Sequence, residues 1–155
     1  MESGPWWALV TTWVVVTTWV VVNVVNVAQT VGFASRRRHG MAVNHAVGYL
    51  IAALAVPATA ALVGQARAGS PWWVGPAVFD AFVVLMLVVD YLRPVQFRDP
   101  PRPAVLVPYL VLFFGSVVLM GASMYSANRS LWLVTVATSA ALVAGMTWAR
   151  HQGTA

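Results

Sequence analysis

The chain has 155 residues, of which 60% are hydrophobic and 8% are charged. Soluble domains usually carry about 25% charged residues, so this chain has too little polar surface to cover a water-exposed globule. At roughly 20 residues per span, its length allows about five membrane-spanning helices and leaves no room for a separate soluble domain. The absence of Cys excludes disulfides, thiolate metal sites and cysteine nucleophiles.

The net charge is +5, and all nine basic residues are Arg. A basic chain can indicate nucleic-acid binding. Here the Arg residues lie at the ends of apolar runs, where they orient helices in a membrane, so we expect no nucleic-acid partner. The use of Arg without any Lys is typical of GC-rich genomes. We therefore expect a multi-pass protein in the cell membrane of a prokaryote, specifically a bacterium. The first apolar run has no basic region before it and does not resemble a cleaved signal peptide.

Five apolar stretches, separated by segments rich in Gly, Pro and Arg, predict five transmembrane helices. In chain order these spans cover about 6–34, 41–66, 72–92, 104–126 and 131–149. Four prolines between 94 and 103 make the third connection a loop, because proline cannot continue a helix. The spans predict an all-α integral membrane protein, with one domain over 1–155 that forms a single five-helix bundle.

The first stretch is rich in Val and Thr, and its hexapeptide at 11–16 is repeated at 17–22. Such β-branched residues favour strands in soluble proteins. A membrane strand, however, needs only about 9–11 residues, and the alternation that a barrel requires is missing. An unpaired strand in lipid cannot satisfy its backbone, so we predict a helix.

The distribution of Arg among the connections predicts the orientation of the bundle. Seven Arg residues lie in the first and third connections and after the fifth span, at 36, 37, 38, 93, 98, 102 and 150. Arg67 and Arg129 are on the opposite side. Because cytoplasmic loops carry the excess of basic residues, we expect the N-terminus outside and the C-terminus in the cytoplasm. The Trp pairs at 6–7 and 72–73 would then lie at outer membrane interfaces.

Asp80 is the candidate catalytic residue. It lies nine residues after Pro71, roughly 13 Å into the membrane at 1.5 Å per residue. A charge at that depth costs about 2.5–3.5 kcal/mol on insertion scales, and no basic residue lies at the same depth. We therefore expect Asp80 to be protonated or bonded to polar groups on neighbouring helices. It would serve as a proton relay, ion site or general acid, or as a protonated link between helices.

Polar side chains in the first and fourth spans are candidate ligand-binding residues. Trp19, Asn23 and Asn26 recur at helical spacing and share one face of the first span. They would line a cavity or bind a neighbouring helix. Ser116 belongs to a stripe of aromatic and small residues in the fourth span, a pattern more typical of helix packing than of a ligand site.

Several polar residues converge at the predicted cytoplasmic end. His45 and Tyr49, one turn apart in the second span, are further candidate ligand-binding residues, and Asp90, Arg93 and Arg98 follow along the third span and its loop. Asp90 is about 15 Å along the helix from Asp80, too far to share a proton with it. We expect Asp90, Arg93 and Arg98 to form local ion pairs or a site for lipid headgroups, because Arg binds phosphate through two hydrogen bonds. The three His have no ligand spacing, and we expect neither metal nor cofactor.

Three functions remain open at this point. The first is binding of a lipophilic small molecule near Asp80, with cofactor-free acid–base chemistry, such as isomerisation or cyclisation, on a lipid or isoprenoid. The second is an oligomeric transporter or channel coupled to protons or ions through Asp80. The third is a non-catalytic subunit of a larger membrane complex. The expected partners are membrane lipids and a lipophilic ligand, with further copies of the chain or a partner membrane subunit under the second and third alternatives.

Overall fold

The computed structural model describes residues 5–98 and 100–153, and the side chains at 5–11, 36, 37 and 41 are not among those described. Five long helices make up the fold: α1 Pro5–His39, α2 Met41–Arg67, α3 Val74–Leu87, α4 Pro103–Ala127 and α5 Arg129–His151. A 3₁₀ turn, Pro71–Trp73, precedes α3, and a π turn, Val88–Leu92, follows it. No described residue belongs to a strand.

All five helical segments are long and apolar enough to cross a membrane. The prediction of five apolar helices is therefore confirmed, including the Val- and Thr-rich first span. A helix bonds all its backbone groups internally, so lipid favours it over a strand even where the side chains are β-branched.

The first helix continues past the predicted end of its span. With 35 residues, α1 is about 52 Å long at 1.5 Å per residue, well beyond the roughly 30 Å of a bilayer core. Arg is a good helix former, so the helix persists through the basic segment that we expected to end it. Gly40 alone separates α1 from α2, at a φ of 57° that favours glycine.

The connection between α4 and α5 is equally short and is stabilised by a helix cap. The Asn128 side-chain oxygen accepts hydrogen bonds from the backbone N–H groups of Ser130 (3.0 Å) and Leu131 (3.1 Å). These N–H groups have no partner within the helix, and capping them is a known role of Asn. Asn128 therefore caps the start of α5.

Helices that follow each other in the chain pack side by side, and α1 closes the bundle against α5. The core between them is built from apolar side chains, among them Val21, Ile51, Phe79, Phe82, Phe113 and Met120. A Cβ at Gly75 would lie 3.0 Å from the backbone nitrogen of Met120, so the glycine permits the close approach of α3 and α4. Many Val and Leu side chains remain on the outer surface, where lipid would cover them.

The two helices that close the bundle run parallel. Three of the hydrogen-bonded pairs that join them are Trp19 with Leu131, Asn23 with Thr135 and Asn26 with Thr138. Each of these three pairs is separated by 112 residues in the chain. A constant separation means that both helices advance together in the same direction. The alternating spacing of four and three residues is that of a parallel coiled-coil seam.

Candidate functional site

Asp80 lies in the middle of α3 and bonds to Thr59 of α2. Thr59 Oγ1 is 2.9 Å from Asp80 Oδ2 and 2.8 Å from the carbonyl oxygen of Ala55. The other carboxyl oxygen, Oδ1, is buried and has no hydrogen-bonding partner among the described residues. The carboxyl group therefore has one oxygen fixed by the protein and one that is unpartnered.

The two contacts of Thr59 constrain where the hydrogen atoms lie. A hydroxyl group has a single hydrogen, so Thr59 donates either to Asp80 or to Ala55. If it donates to Ala55, the contact with Asp80 is a hydrogen bond only when Asp80 Oδ2 carries a hydrogen. The neutral carboxyl satisfies both contacts, whereas the ionised carboxylate would keep one hydrogen bond in a medium that penalises charge.

Thr59 was not among the predicted site residues, although the sequence contains a signal for it. It lies eight residues before Arg67, so its depth from that end of the bundle is about 12 Å. Asp80 lies about 13 Å from the same end, counted from Pro71. A search for any polar residue at the depth of Asp80 would have found Thr59, whereas a search for basic residues alone misses it.

The seam between α2 and α3, where Asp80 meets Thr59, opens to the outer surface of the bundle. Val56, one turn from Thr59, is 75% exposed, and Val84, one turn from Asp80, is 62% exposed. Thr59 itself is exposed and Asp80 is half-buried. Exposed apolar residues on both helices indicate that lipid borders this seam. Asp80 therefore lies close to the outer surface of the bundle, although its Oδ1 atom is itself buried.

Asn23 bonds to α5 and not to α3. Its Nδ2 donates to the carbonyl oxygen of Trp19 (2.8 Å) and to Thr135 Oγ1 (3.0 Å). Its Oδ1 accepts a hydrogen bond from Thr138 Oγ1 at 2.8 Å. Both ends of this buried amide are satisfied, so Asn23 links two helices through a complete set of bonds.

Asn26 and Trp19 extend the same contact along α1. Asn26 Nδ2 donates to Thr138 Oγ1 (3.1 Å) and to Ser139 Oγ (3.0 Å). The indole N–H of Trp19 donates to the carbonyl oxygen of Leu131 at 2.9 Å. The structure thus brings the three predicted α1 residues together at the α1/α5 seam, and these hydrogen bonds do not involve Asp80.

Three buried acceptor atoms have no partner among the described residues: Asn26 Oδ1, Gln65 Oε1 and Asp80 Oδ1. In Asn26 and Gln65 the amide nitrogen is bonded, in the latter case to Thr18 Oγ1 at 3.2 Å. A neutral unpartnered acceptor costs about 1–3 kcal/mol. Asp80 differs from the other two because its acceptor belongs to an ionisable group.

The loop after α3 folds back onto the bundle around an ion pair. The Arg98 guanidinium bonds to both oxygens of Asp90, at 3.0 and 3.1 Å, and lies 4.4 Å from the ring centre of Phe97. Tyr109 donates to Asp90 at 3.4 Å. Burial is the largest single influence and disfavours the charge on Arg98, but the hydrogen bonds and charge interactions with Asp90 and Tyr109 together outweigh it and raise the pKa of the guanidinium above its ordinary value. Phe97 is only 1% exposed and anchors this loop.

His45 and Tyr49 contact Tyr91 and take no part in the hydrogen bond between Thr59 and Asp80. The Tyr91 hydroxyl donates to the backbone carbonyl of His45 at 3.4 Å, and its ring centre lies 5.3 Å from that of Tyr49. A Cβ at Gly48 would overlap the Tyr91 hydroxyl, so glycine at that position admits the ring. This contact joins α2 to the π turn.

The remaining predicted residues lie apart from these groups. Ser116 is buried and donates to the carbonyl oxygen of Phe113 in its own helix at 2.7 Å. The Arg93 side chain is exposed, and the ion pair found within residues 5–98 and 100–153 involves Arg98 instead. No three His, Asp or Glu side chains in the described part of the chain are grouped to hold a metal ion.

No family model matches this chain, and no curated protein or solved structure is significantly similar to it.

Proposed function

We propose that this chain is a membrane protein that binds a lipophilic small molecule at the α2/α3 seam, with Asp80 as the polar contact. The observation that supports this is Asp80 Oδ1, which is buried without a partner while Oδ2 is held by Thr59. A buried acceptor without a partner costs about 1–3 kcal/mol. A ligand that donates a hydrogen bond removes this cost, so the ligand carries a hydroxyl or N–H group.

The apolar surroundings of the seam favour a ligand that enters from the bilayer. Val56 and Val84 are exposed beside Thr59 and Asp80, so the rest of the ligand would contact hydrocarbon side chains and lipid. The neutral carboxyl also holds a hydrogen that can be transferred. With this hydrogen, Asp80 would be able to carry out cofactor-free acid–base chemistry on an isoprenoid-like ligand.

Substitutions at Asp80 and Thr59 test the binding proposal in the full-length protein. The measurement is the lipophile that remains bound after extraction in mild detergent, quantified by mass spectrometry. Asp80→Asn should retain it, because the amide oxygen still accepts and the amide nitrogen still bonds to Thr59. Asp80→Leu should lower retention about tenfold, the loss expected for one hydrogen bond of about 1.4 kcal/mol.

Thr59→Val is the matched control. It removes the contact between helices but leaves Asp80 Oδ1 in place, so the ligand should remain. Equal retention by the wild type and Asp80→Leu would contradict the proposal. If Asp80→Asn binds the ligand but lacks an activity of the wild type, Asp80 transfers a proton in addition to hydrogen-bonding the ligand.

We also propose that the end of the bundle with Arg36, Arg37, Arg38, Arg93, Arg98, Arg102 and Arg150, here called the Arg-rich end, faces the cytoplasm of a prokaryotic cell. The support is the excess of seven Arg residues over two. Because the chain has no Cys, single cysteines report orientation without background. Cysteines at Ser70 and Ser126 should react with an impermeant reagent in intact cells, and one at Ser35 should not. The reverse labelling pattern would overturn this orientation.

A further inference from the structure

A groove runs along the outer face of α1 towards the Arg-rich end. Two adjoining cavities form it, of about 620 and 730 Å³, and both are lined by Val31. The first is lined mostly by apolar residues of α1, with walls from α2 and α5 that include Leu50 and Val134. Three residues of the α1/α5 seam, Trp19, Asn23 and Thr138, also border it, but almost all of its exposed lining is apolar. The second is lined by polar groups at the ends of α1 and α5, including Arg38, His39 and Trp148. The groove thus has an apolar body and a cationic end.

The floor of the groove is one continuous stripe of α1. The stripe contains Val20, Val24, Val27 and Val31, which are spaced by four, three and four residues. Arg38 lies on the same stripe, two turns after Val31. The apolar part spans about 16 Å at 1.5 Å per residue. One leaflet of the hydrocarbon core is about 15 Å deep, so the apolar part has the length of an acyl chain that crosses a single leaflet.

The cationic end is placed to meet a phosphate group. Side chains on a helix lean towards its N-terminus, so Arg38 leans back from the end of α1 towards the membrane. Among the described residues, the acids Asp80 and Asp90 bond elsewhere, to Thr59 and Arg98 respectively. Trp148 is 45% exposed beside Arg38, and Trp favours the membrane interface.

We propose that this groove binds one anionic phospholipid, with an acyl chain along the Val stripe of α1 and the phosphate on Arg38 and His39. The site is separate from the Asp80 seam and does not depend on the ligand proposed there. A second copy of the chain fits less well, because a symmetric partner would place its own Arg38 against this one. Like charges at such a contact destabilise it.

The test compares phosphatidylglycerol with phosphatidylcholine, each titrated into the detergent-solubilised full chain and followed by native mass spectrometry. Arg38→Gln should weaken phosphatidylglycerol binding about fivefold, the contribution of one Arg near an anionic surface. It should weaken phosphatidylcholine binding less, because the choline cation of that lipid offsets the charge of its phosphate. Arg93→Gln removes the same charge from the same end, outside the groove, and should change affinity less than about twofold. If the two substitutions weaken phosphatidylglycerol binding equally, the lipid responds to the overall charge of this end and not to a specific site. That result would overturn the proposal.

A second pair of variants tests the acyl chain. Val27→Phe fills the apolar body and should weaken binding of both lipids, whereas Val118→Phe, on the exposed face of α4, should change neither. Unchanged binding by Val27→Phe, or a stable lipid-free dimer of the wild type, would overturn the proposal. Asp80→Leu should keep wild-type phosphatidylglycerol affinity, which separates failure of this site from failure of the Asp80 proposal.

Discussion

The α1/α5 seam and the α2/α3 seam both place polar side chains inside an apolar bundle, but they satisfy them to different degrees. At the α1/α5 seam, Asn23 has partners for both ends of its amide, and the indole of Trp19 bonds to α5. At the α2/α3 seam, Asp80 has one hydroxyl partner and a buried oxygen without one. Polar groups in lipid either hold helices together or remain available to a ligand.

The two seams also differ in their accessibility. Asn26 is fully buried between α1 and α5, so its unpartnered oxygen faces protein. Asp80 Oδ1 is buried as well, but Asp80 as a whole residue is half-buried and lies beside exposed side chains of α2 and α3. We expect a structural role for the first seam and place the proposed ligand site at the second, and three experiments test this contrast.

The largest expected effect comes from forcing α1 and α5 apart. A Cβ at Gly145 would already be in van der Waals contact with Thr30, at 3.5–3.7 Å, so we expect the further atoms of a longer side chain to press α5 away from α1. Gly145→Leu should lower the free energy of unfolding by about 2–3 kcal/mol through overpacking. Equilibrium unfolding in SDS-containing mixed micelles measures the change, and Gly145→Ala should stay within about 1 kcal/mol of the wild type. Wild-type stability of Gly145→Leu would show that the seam does not support the fold.

A smaller effect is expected from removing one link of the α1/α5 seam. Asn23→Val and Thr138→Val each break the 2.8 Å hydrogen bond between these residues. In a double-mutant cycle their coupling energy should be about 0.6–1.7 kcal/mol, the range for hydrogen bonds between membrane helices. Unfolding in mixed micelles supplies the four free energies. A coupling energy of zero would contradict the structural role of the amide.

The smallest effect on stability is expected at the α2/α3 seam. Asp80→Asn keeps the shape of the neutral carboxyl and its bond to Thr59, so the free energy of unfolding should change by less than about 0.5 kcal/mol. Thr59→Val should lower it by about 0.6 kcal/mol, the average for such a bond. The same unfolding assay checks both variants. If Asp80→Asn lowers the free energy of unfolding by several kcal/mol, Asp80 has a structural role like that of Asn23. The contrast between the two seams would then disappear.

The sequence was sufficient to predict the five helices, because a membrane accepts long apolar segments only when their backbone is bonded internally. Helical spacing also placed Trp19, Asn23 and Asn26 on one face. Their partners in α5 were not predictable, because the parallel packing of two helices more than 100 residues apart leaves no local signal. The loop after α3 was predicted from its prolines, but the burial of Phe97 depends on the surrounding helices.

The sequence by itself determined that Asp80 lies deep in a span without a basic partner, since depth follows from helical rise and distance from the helix end. Only the tertiary structure decided that Thr59 bonds to one oxygen of Asp80 and leaves the other unpartnered. That outcome depends on the rotation of α2 against α3. The packing of the whole bundle sets this rotation, and in an apolar span many rotations satisfy the same pattern of hydrophobic residues.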